Sequence, residues 1–457
     1  MNLLSKIFRK PALPVLTSAQ NIKLTGLEIS LIQHVYNKYK QIIVEKEFGG
    51  GYTGTRVFLI LPITTDGRSD AYMVTKVGSK TELKEEKQNY EKYVKTSLPF
   101  STAQVREYYD EANQAALNYV FAGGGVLGTT LSLEEYYRQH SAAEIKDMLV
   151  NLLDRELGPQ WYAQSHPLHC LFSDQYGRYL PPHQELESIA KVIFQTMSPA
   201  NANYVNIPEL RAATDPLKVY PNLLNKTLIG RQSRVHGDLH PRNVLVDQFG
   251  RGWLIDFAKV TERHNMFDFI KLETYIRMMI LAPLQVEFSW NEYVQFELAL
   301  NADLPDQNVK KPTNAQLAKA YTVIRAIRHI AQKYMGSGAD LKKEYFPALL
   351  LYCLAMLKYY KSHGTIATQS AFITAYCLTL DGIKKHELPQ SDSDEQQNVL
   401  KEEQPIPASA SEGKPSQNVL ADQGSLVEDV TQEMPTKNGE QTVKATNNSV
   451  IKGIVQK

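Results

Sequence analysis

Residues 27–43, beginning "LEISLIQHVYNKY", space their apolar side chains at helical intervals and predict a leading helix. Four β-like runs follow, at 56–62, 71–76, 104–109 and 115–121, with turns at Asp66 and Gly67 and across 110–114. A helical stretch, 81–95, lies between the second and third runs. From Leu131 onward the pattern is mainly helical. Helices are expected at about 314–335, 341–362 and 365–380, with Thr313 and Asn314 after Pro312 as a start signal and Gly336 as a stop. This outline is α+β: a small strand-rich N-terminal part carrying one helix, then a larger, mainly helical C-terminal part. The expected divisions are an N-terminal extension and leading helix at 1–44, the strand-rich part at 45–122, the helical part at 123–388, and a tail at 389–457. The last aromatic residue is Tyr376, and the tail has too little apolar surface to offset the entropy of ordering. It is expected to be disordered.

Composition narrows the function more than the fold. The 457 residues include 50 Lys and Arg against 49 Asp and Glu, a balance that favours neither nucleic acid nor an acidic membrane as partner. Cys170, Cys353 and Cys377 are odd in number, widely separated and without metal-ligand spacing, which suits a reducing, cytoplasmic setting. The N-terminal "MNLLSKIFRKPALPVL" is interrupted by basic residues and prolines and makes a poor signal peptide. The apolar run 346–356 is too short to span a bilayer and reads as a core helix, so a soluble protein is expected.

The candidate chemistry begins at "FGGGYTGTRVFLI", where Gly49, Gly51 and Gly54 stand in G-x-G-x-x-G spacing before a strand. Such triplets also occur in ordinary hairpins, and a following strand argues against a dinucleotide-binding unit. "AYMVTKVG" places Lys76 at the end of an apolar strand. It is either a solvated strand end or a cation for the phosphates of ATP, held by a helical glutamate. On the following helix Glu86 shares the face of Leu83, Tyr90 and Tyr93, whereas Glu82 and Glu91 are weaker alternates.

The densest polar cluster is "VHGDLHPRNVLVDQFGRGWLIDFAKV" at 235–260. His236, Asp238 and His240 alternate, so on a strand all three would face one way as metal ligands, with Asp256 as a further one. This rival reading, a metal-dependent hydrolase, leaves Asn243, Lys76 and the glycine loop without roles. Phosphoryl transfer uses them all: Asp238 at the acceptor hydroxyl, Asn243 and Asp256 as oxygen ligands for Mg²⁺, and Lys76 on the phosphates. "NVLVD" and "GWLID" are expected to pair as an antiparallel hairpin that brings Asn243 beside Asp256, with Asp247 turning it.

H-x-D-L-x-x-x-N followed by I-D-F resembles the catalytic and metal-binding loops of the eukaryotic-like kinase fold. "HGDLHPRN" is similar to the aminoglycoside phosphotransferase, choline kinase and fructosamine kinase group, over about residues 45–280. The resemblance implies a two-lobed protein-kinase-like fold and an ATP- and Mg²⁺-dependent phosphotransferase acting on a small-molecule hydroxyl. It implies that Asp268, which also reads simply as a helix N-cap or first-turn acid, braces the loop, and that backbone groups from Tyr119 through Phe121 to Ala122 hold the adenine. His236, His240 and Arg242 are taken as supporting residues, with Arg242 either a surface residue or a contact to phosphate. His240 stands where protein kinases usually carry lysine, and no long activation segment follows Asp256. A protein kinase is therefore the less favoured form. A catalytically inactive kinase-fold module, with a protein partner bound through the tail, is the alternative from another class.

For the acceptor, the insertion at 165–230 and the late helices qualify. Arg325, Arg328 and His329 stand at helical spacing, either as a solvated face or as an anion site. No dense acidic cluster of the kind that captures polycationic aminoglycosides is visible.

Overall fold

In the computed structural model of the chain, residues 13–48, 54–97, 102–121, 130–195, 210, 213–302 and 311–381 are described, with short strands between 417 and 456. Met1–Leu388 and Pro389–Lys457 are separate units.

The first unit opens with β1 (Val15–Ser18), α1 (Gly26–Val35), β2 (Gln41–Phe48), β3 (Arg56–Ile63), β4 (Met73–Ser79), α2 (Lys80–Asn89), β5 (Ala103–Glu111) and β6 (Gln114–Phe121). The strands form one sheet in the order β1-β2-β3-β4-β6-β5, antiparallel except for β1 on β2. The helix expected over 27–43 is shorter: it ends at Val35, and Gln41 already opens β2. A capping box starts α1, Thr25 accepting from the Glu28 N–H while Glu28 accepts from that of Thr25. In "QIIVEKEF" the buried positions Ile42 and Val44 alternate, so the β period overrides helical continuation.

Alternation divides the sheet between two cores. Phe58, Ile60, Met73 and Val77 pack with Leu31, Ile32 and Val35 of α1 and with Tyr36 just after it. Leu59, Val74, Leu117 and Tyr119 face the other way, with Leu83 of α2, and join the core of the helical part. Because side chains alternate along a strand, Lys76 shares the face of Val74 and points toward α2.

The remainder is mainly helical, as the apolar pattern indicates. Phe346–Met356 is buried at every position, and Ala315–Gln332 is capped by Asn314, whose side chain accepts from the Gln316 and Leu317 N–H groups. Two small sheets interrupt this part. His166–Leu171, Thr227–Val235 and Thr261–His264 form an antiparallel sheet that the sequence outline lacked. The segment 165–230 is thus not a bare insertion, since a strand stands at each end. Val244–Val246 and Gly252–Leu254 make the expected hairpin, extended by Leu131–Ser132.

In the second unit, within the tail expected to be disordered, the described residues pair as short parallel strands. Gln417–Ala421 lies on Gln441–Ala445, Leu426–Val427 on Val450–Ile451, and Val430–Gln432 on Ile454–Gln456. Among the described residues no helix is long and apolar enough to cross a membrane.

Candidate active site

Strand Thr227–Val235 delivers the chain to His236, where the β conformation stops. Gly237 has φ +73°, and a Cβ there would lie 2.2 Å from the Lys259 carbonyl oxygen. Only glycine meets both demands. The turn removes the strand alternation on which a His236–Asp238–His240 metal triad depended. Both ring nitrogens of His236 are also engaged: Nε2 lies 2.9 Å from the Ile255 carbonyl and Nδ1 accepts from the Asp238 N–H. No group of three or more His, Cys, Asp or Glu side chains suited to a metal ion occurs among the described residues. The hydrolase reading loses its ligand set.

Asp268, buried in the first turn of helix Phe267–Tyr275, holds the loop from below. Its carboxylate accepts from the His236 N–H at 2.7 Å and the Gly237 N–H at 2.9 Å, and Tyr162 donates to it at 3.3 Å. Burial pushes this carboxyl above its ordinary range, against the pull of those donors.

Across the hairpin the Ile255 N–H donates to the Asn243 carbonyl at 3.1 Å, which sets Asn243 next to the residue preceding Asp256. The Asn243 side-chain amide donates to the Asp238 carbonyl at 2.9 Å through its NH₂ group. Asp247 turns the hairpin by accepting from the N–H groups of Phe249 and Arg251. Asp256 has φ +70°, a conformation costly for any residue with a Cβ, and keeps 30% of its side chain exposed in an otherwise buried strand end.

From the sheet, Lys76 Nζ reaches Glu86 Oε1 and Oε2 at 2.9 and 3.0 Å and Asp256 Oδ2 at 3.1 Å. Glu86 is the buried glutamate of α2, whereas Glu91 is exposed and pairs with Lys87. Glu86 also accepts from the Tyr119 hydroxyl and, at 3.0 Å, from the Phe257 N–H. Burial works against the Lys76 ammonium, but Asp256 and Glu86 outweigh it and raise its pKa. Burial likewise works against the Asp256 carboxylate, and Lys76 outweighs it, so its pKa is lowered. The two parts of the unit thus meet through one carboxylate–ammonium–carboxylate chain. Phe257 seals it, with its ring 5.5 Å from Tyr90, 6.2 Å from Tyr119 and 5.9 Å from His236.

Asp238 pairs with Lys271, one turn beyond Asp268 on the same helix. Burial favours the neutral carboxyl, but Lys271 outweighs it and holds Asp238 well below its ordinary range. The His240 ring lies tilted beside that of Tyr275, 5.3 Å between centroids, and burial lowers its pKa to about 4 despite the neighbouring Asp238.

Several sequence candidates stand elsewhere. Gly49 and Gly51 lie outside the described residues, while Gly54, at φ +76°, precedes β3. Phe121 ends β6, and its side chain is not described. Tyr119 lies inside β6, flanked by Val74 and Val105, and serves the site through its hydroxyl rather than a free backbone edge. Arg242 is tied to Glu134 at 2.7 Å. Arg328 belongs to a buried ion network with Glu273, at 2.6 Å, and is committed to the helical core, whereas His329 is exposed. Arg325, Arg328 and His329 therefore do not make an anion site. A groove of about 470 Å³ involves Tyr136, Asp247 and Phe249 but none of the clustered site residues apart from the hairpin turn.

Lys271, Phe257 and the Tyr119 hydroxyl were missed from sequence. Lys271 left a signal: it lies three residues after Asp268 in "FDFIKLE", on the same helical face and between apolar neighbours.

A family model described as Ternary complex associated domain 9 matches residues 184–358, which include Asp238, Asn243, Asp256 and Lys271 but neither Lys76 nor Glu86. No curated protein matches the chain. Among solved structures, a thermostable mutant of aminoglycoside phosphotransferase APH(4)-Ia, in ternary complex with ADP and hygromycin B, is similar at 12% identity and TM-score 0.41, covering 78% of this chain and 99% of that one. Amicoumacin kinase hAmiN, in complex with AMP-PNP, Ca²⁺ and Ami, is similar at 11% identity and TM-score 0.39, over 79% of this chain and 96% of that one. Glucosamine kinase, with glucosamine, ADP and inorganic phosphate, is similar at 12% identity and TM-score 0.38, over 78% and 86%.

Proposed function

We propose that this protein is an ATP- and Mg²⁺-dependent phosphotransferase that moves the γ-phosphoryl group to a hydroxyl of a small-molecule acceptor. The observation that carries the reading is the convergence of Lys76, Glu86 and Asp256, from three separate segments, beside the loop that holds Asp238 and Asn243. A hydrolase or a passive core has no use for that whole set.

The oxygen donors Asn243 Oδ1 and Asp256 suit a hard divalent cation, and these two residues would hold Mg²⁺. When bound, the cation neutralises charge on the transferring phosphates. Lys76, fixed by Glu86, positions the α- and β-phosphates. Asp238, kept ionised by Lys271, accepts the hydrogen bond of the acceptor hydroxyl and so aims its oxygen at the γ-phosphorus. As the new O–P bond forms, the bond from the γ-phosphorus to the β,γ-bridging oxygen breaks, ADP leaves, and the hydroxyl proton passes to Asp238. Asp268 and His236 keep the loop in register throughout.

The test is binding of a fluorescent ATP analogue with and without Mg²⁺, followed by ADP release against a panel of hydroxyl compounds. Mg²⁺-dependent binding lost in Lys76→Met, and turnover lost in Asp238→Asn with binding retained, are expected. Failure of the intact protein to bind nucleotide sinks the reading.

A further inference from the structure

We infer that Asn89, the last residue of α2, is a positioning residue for Asp256, so that the hold on a divalent cation at Asn243 and Asp256 depends on it; this rests on the phosphotransferase reading above. The Asn89 side-chain amide donates to the Ala258 carbonyl at 2.8 Å, across 169 residues of chain. Asn89 stands three residues after Glu86, on the same face of α2. From that face Glu86 accepts from the Phe257 N–H at 3.0 Å, and Asn89 donates to the carbonyl of the next residue. One side of one helix therefore grips a donor and an acceptor on consecutive residues of the segment that leaves Asp256.

The grip matters because of the Asp256 backbone. A φ of +70° is a conformation that a residue with a Cβ leaves unless its surroundings hold it. The residue before Asp256 is held by His236, whose Nε2 lies 2.9 Å from the Ile255 carbonyl, and by the Ile255 N–H on the Asn243 carbonyl. On the far side the hold falls to Glu86 and Asn89. Glu86 divides its carboxylate among Lys76, the Tyr119 hydroxyl and the Phe257 N–H. Lys76 meets the Asp256 carboxylate itself, at 3.1 Å, and does not constrain the backbone. Past Ala258 the chain turns, with the Val260 N–H donating to the Phe257 carbonyl at 3.2 Å. The Lys259 carbonyl then faces Gly237 so closely that a Cβ there would lie 2.2 Å away. Residues 257–260 are thus wedged between α2 and the loop that carries Asp238. Releasing the Ala258 carbonyl would free the exit of this turn, and the Asp256 carboxylate would lose the fixed aim that lets it act with Asn243. Groups that orient a ligand without touching the metal are commonly worth about 10–100-fold in metal affinity.

A contact that only tied the sheet to the helical part would show in stability and leave metal affinity alone. The experiment therefore reads metal binding directly in the full-length protein. Mn²⁺ is titrated in place of Mg²⁺ under saturating AMP-PNP, with free Mn²⁺ followed by electron paramagnetic resonance. A fluorescent ATP analogue is titrated separately in EDTA. Asn89→Ala removes the donor, and Asn89→Asp replaces it by an acceptor at nearly constant shape. Each should weaken Mn²⁺ binding about tenfold or more, Asn89→Asp the more strongly, while metal-free nucleotide affinity stays within about twofold. Asn89 is only half-buried, and should Asn89→Ala fail to fold, the isosteric Asn89→Asp decides alone. Mn²⁺ affinity equal to that of the parent protein overturns the inference, as does a parallel loss of metal-free nucleotide affinity. A parent protein that binds no nucleotide, or binds it without Mn²⁺, overturns instead the reading on which the inference rests.

Discussion

Lys271 closes an ion pair with Asp238 from the helix whose first turn carries Asp268. One helix therefore holds the backbone of the loop and the charge of its central side chain. In protein kinases a lysine two residues after the aspartate is usual; here that position is His240, and the cation beside Asp238 arrives through the tertiary structure.

Removing that cation should show in the pH profile. Burial alone raises the Asp238 carboxyl, and Lys271 reverses the direction. On the phosphotransferase reading catalysis needs the ionised form, so the intact protein should show no acid limb from Asp238 near neutral pH. In Lys271→Met the acid limb of kcat/KM should move upward, and kcat should fall by about ten- to a hundredfold. An acid limb at the same pH in both proteins would mean that Lys271 does not set the ionisation of Asp238.

The buried link between the two parts of the unit makes a stability prediction. Glu86→Ala leaves the Lys76 ammonium with Asp256 alone and strips an acceptor from both the Tyr119 hydroxyl and the Phe257 N–H. Breaking a buried pair by removing one member costs about 3–5 kcal/mol. Thermal unfolding should report a loss of that order, and nucleotide affinity should fall with it. Tyr119→Phe removes only one of the donors and should cost about 1 kcal/mol. If Glu86→Ala unfolds like the parent protein, the ion pair is not what joins these elements.

How far this site could be read from sequence depended on the range of each contact. Glu86 was readable because a helix has a face: an acid in register with Leu83 and Tyr90 has to be buried with a partner. Asp238, Asn243 and Asp256 were readable because a tight hairpin converts close sequence spacing into proximity. Lys271 and the Tyr119 hydroxyl depend on packing between segments far apart in the chain, which periodicity does not encode. The sheet formed by His166–Leu171, Thr227–Val235 and Thr261–His264 was hidden for another reason. Its outer strand, "HPLHCL", buries only Leu168, and its centre, "TLIGRQSRV", carries polar residues that break the alternation. Arg328 misled in the opposite direction, because helical spacing alone does not separate a solvated arginine from one neutralised by Glu273.

Gly237 offers a backbone test that changes no functional group. Gly237→Ala would adopt a left-handed conformation at about 1–2 kcal/mol and also place its Cβ against the Lys259 carbonyl. The loop must shift, so turnover should drop at least about tenfold while nucleotide affinity, which the phosphotransferase reading assigns mainly to Lys76, changes little. Gly54→Ala, which meets nothing within 4 Å, should carry only the conformational cost. Equal turnover in Gly237→Ala and the parent protein would show that the approach of the two segments is unimportant.

His240 provides a pH signature of its own. Burial is the largest cause of its lowered pKa, Lys271 adds to it, and Asp238 and Asp256 oppose it. The folded form therefore resists protonation down to about pH 4, whereas the unfolded chain takes up the proton near the ordinary value of 6.5. Between those limits the unfolded state binds more protons, so stability rises with pH, and lowering pH from neutrality erodes it before most carboxylates titrate. His240→Gln keeps a polar side chain of similar reach without a titrating ring. Its unfolding temperature should fall less steeply than that of the parent between pH 6.5 and 5, with the two curves parallel above pH 7. Identical slopes over the acid interval would place the His240 ring in water rather than in the packed contact with Tyr275.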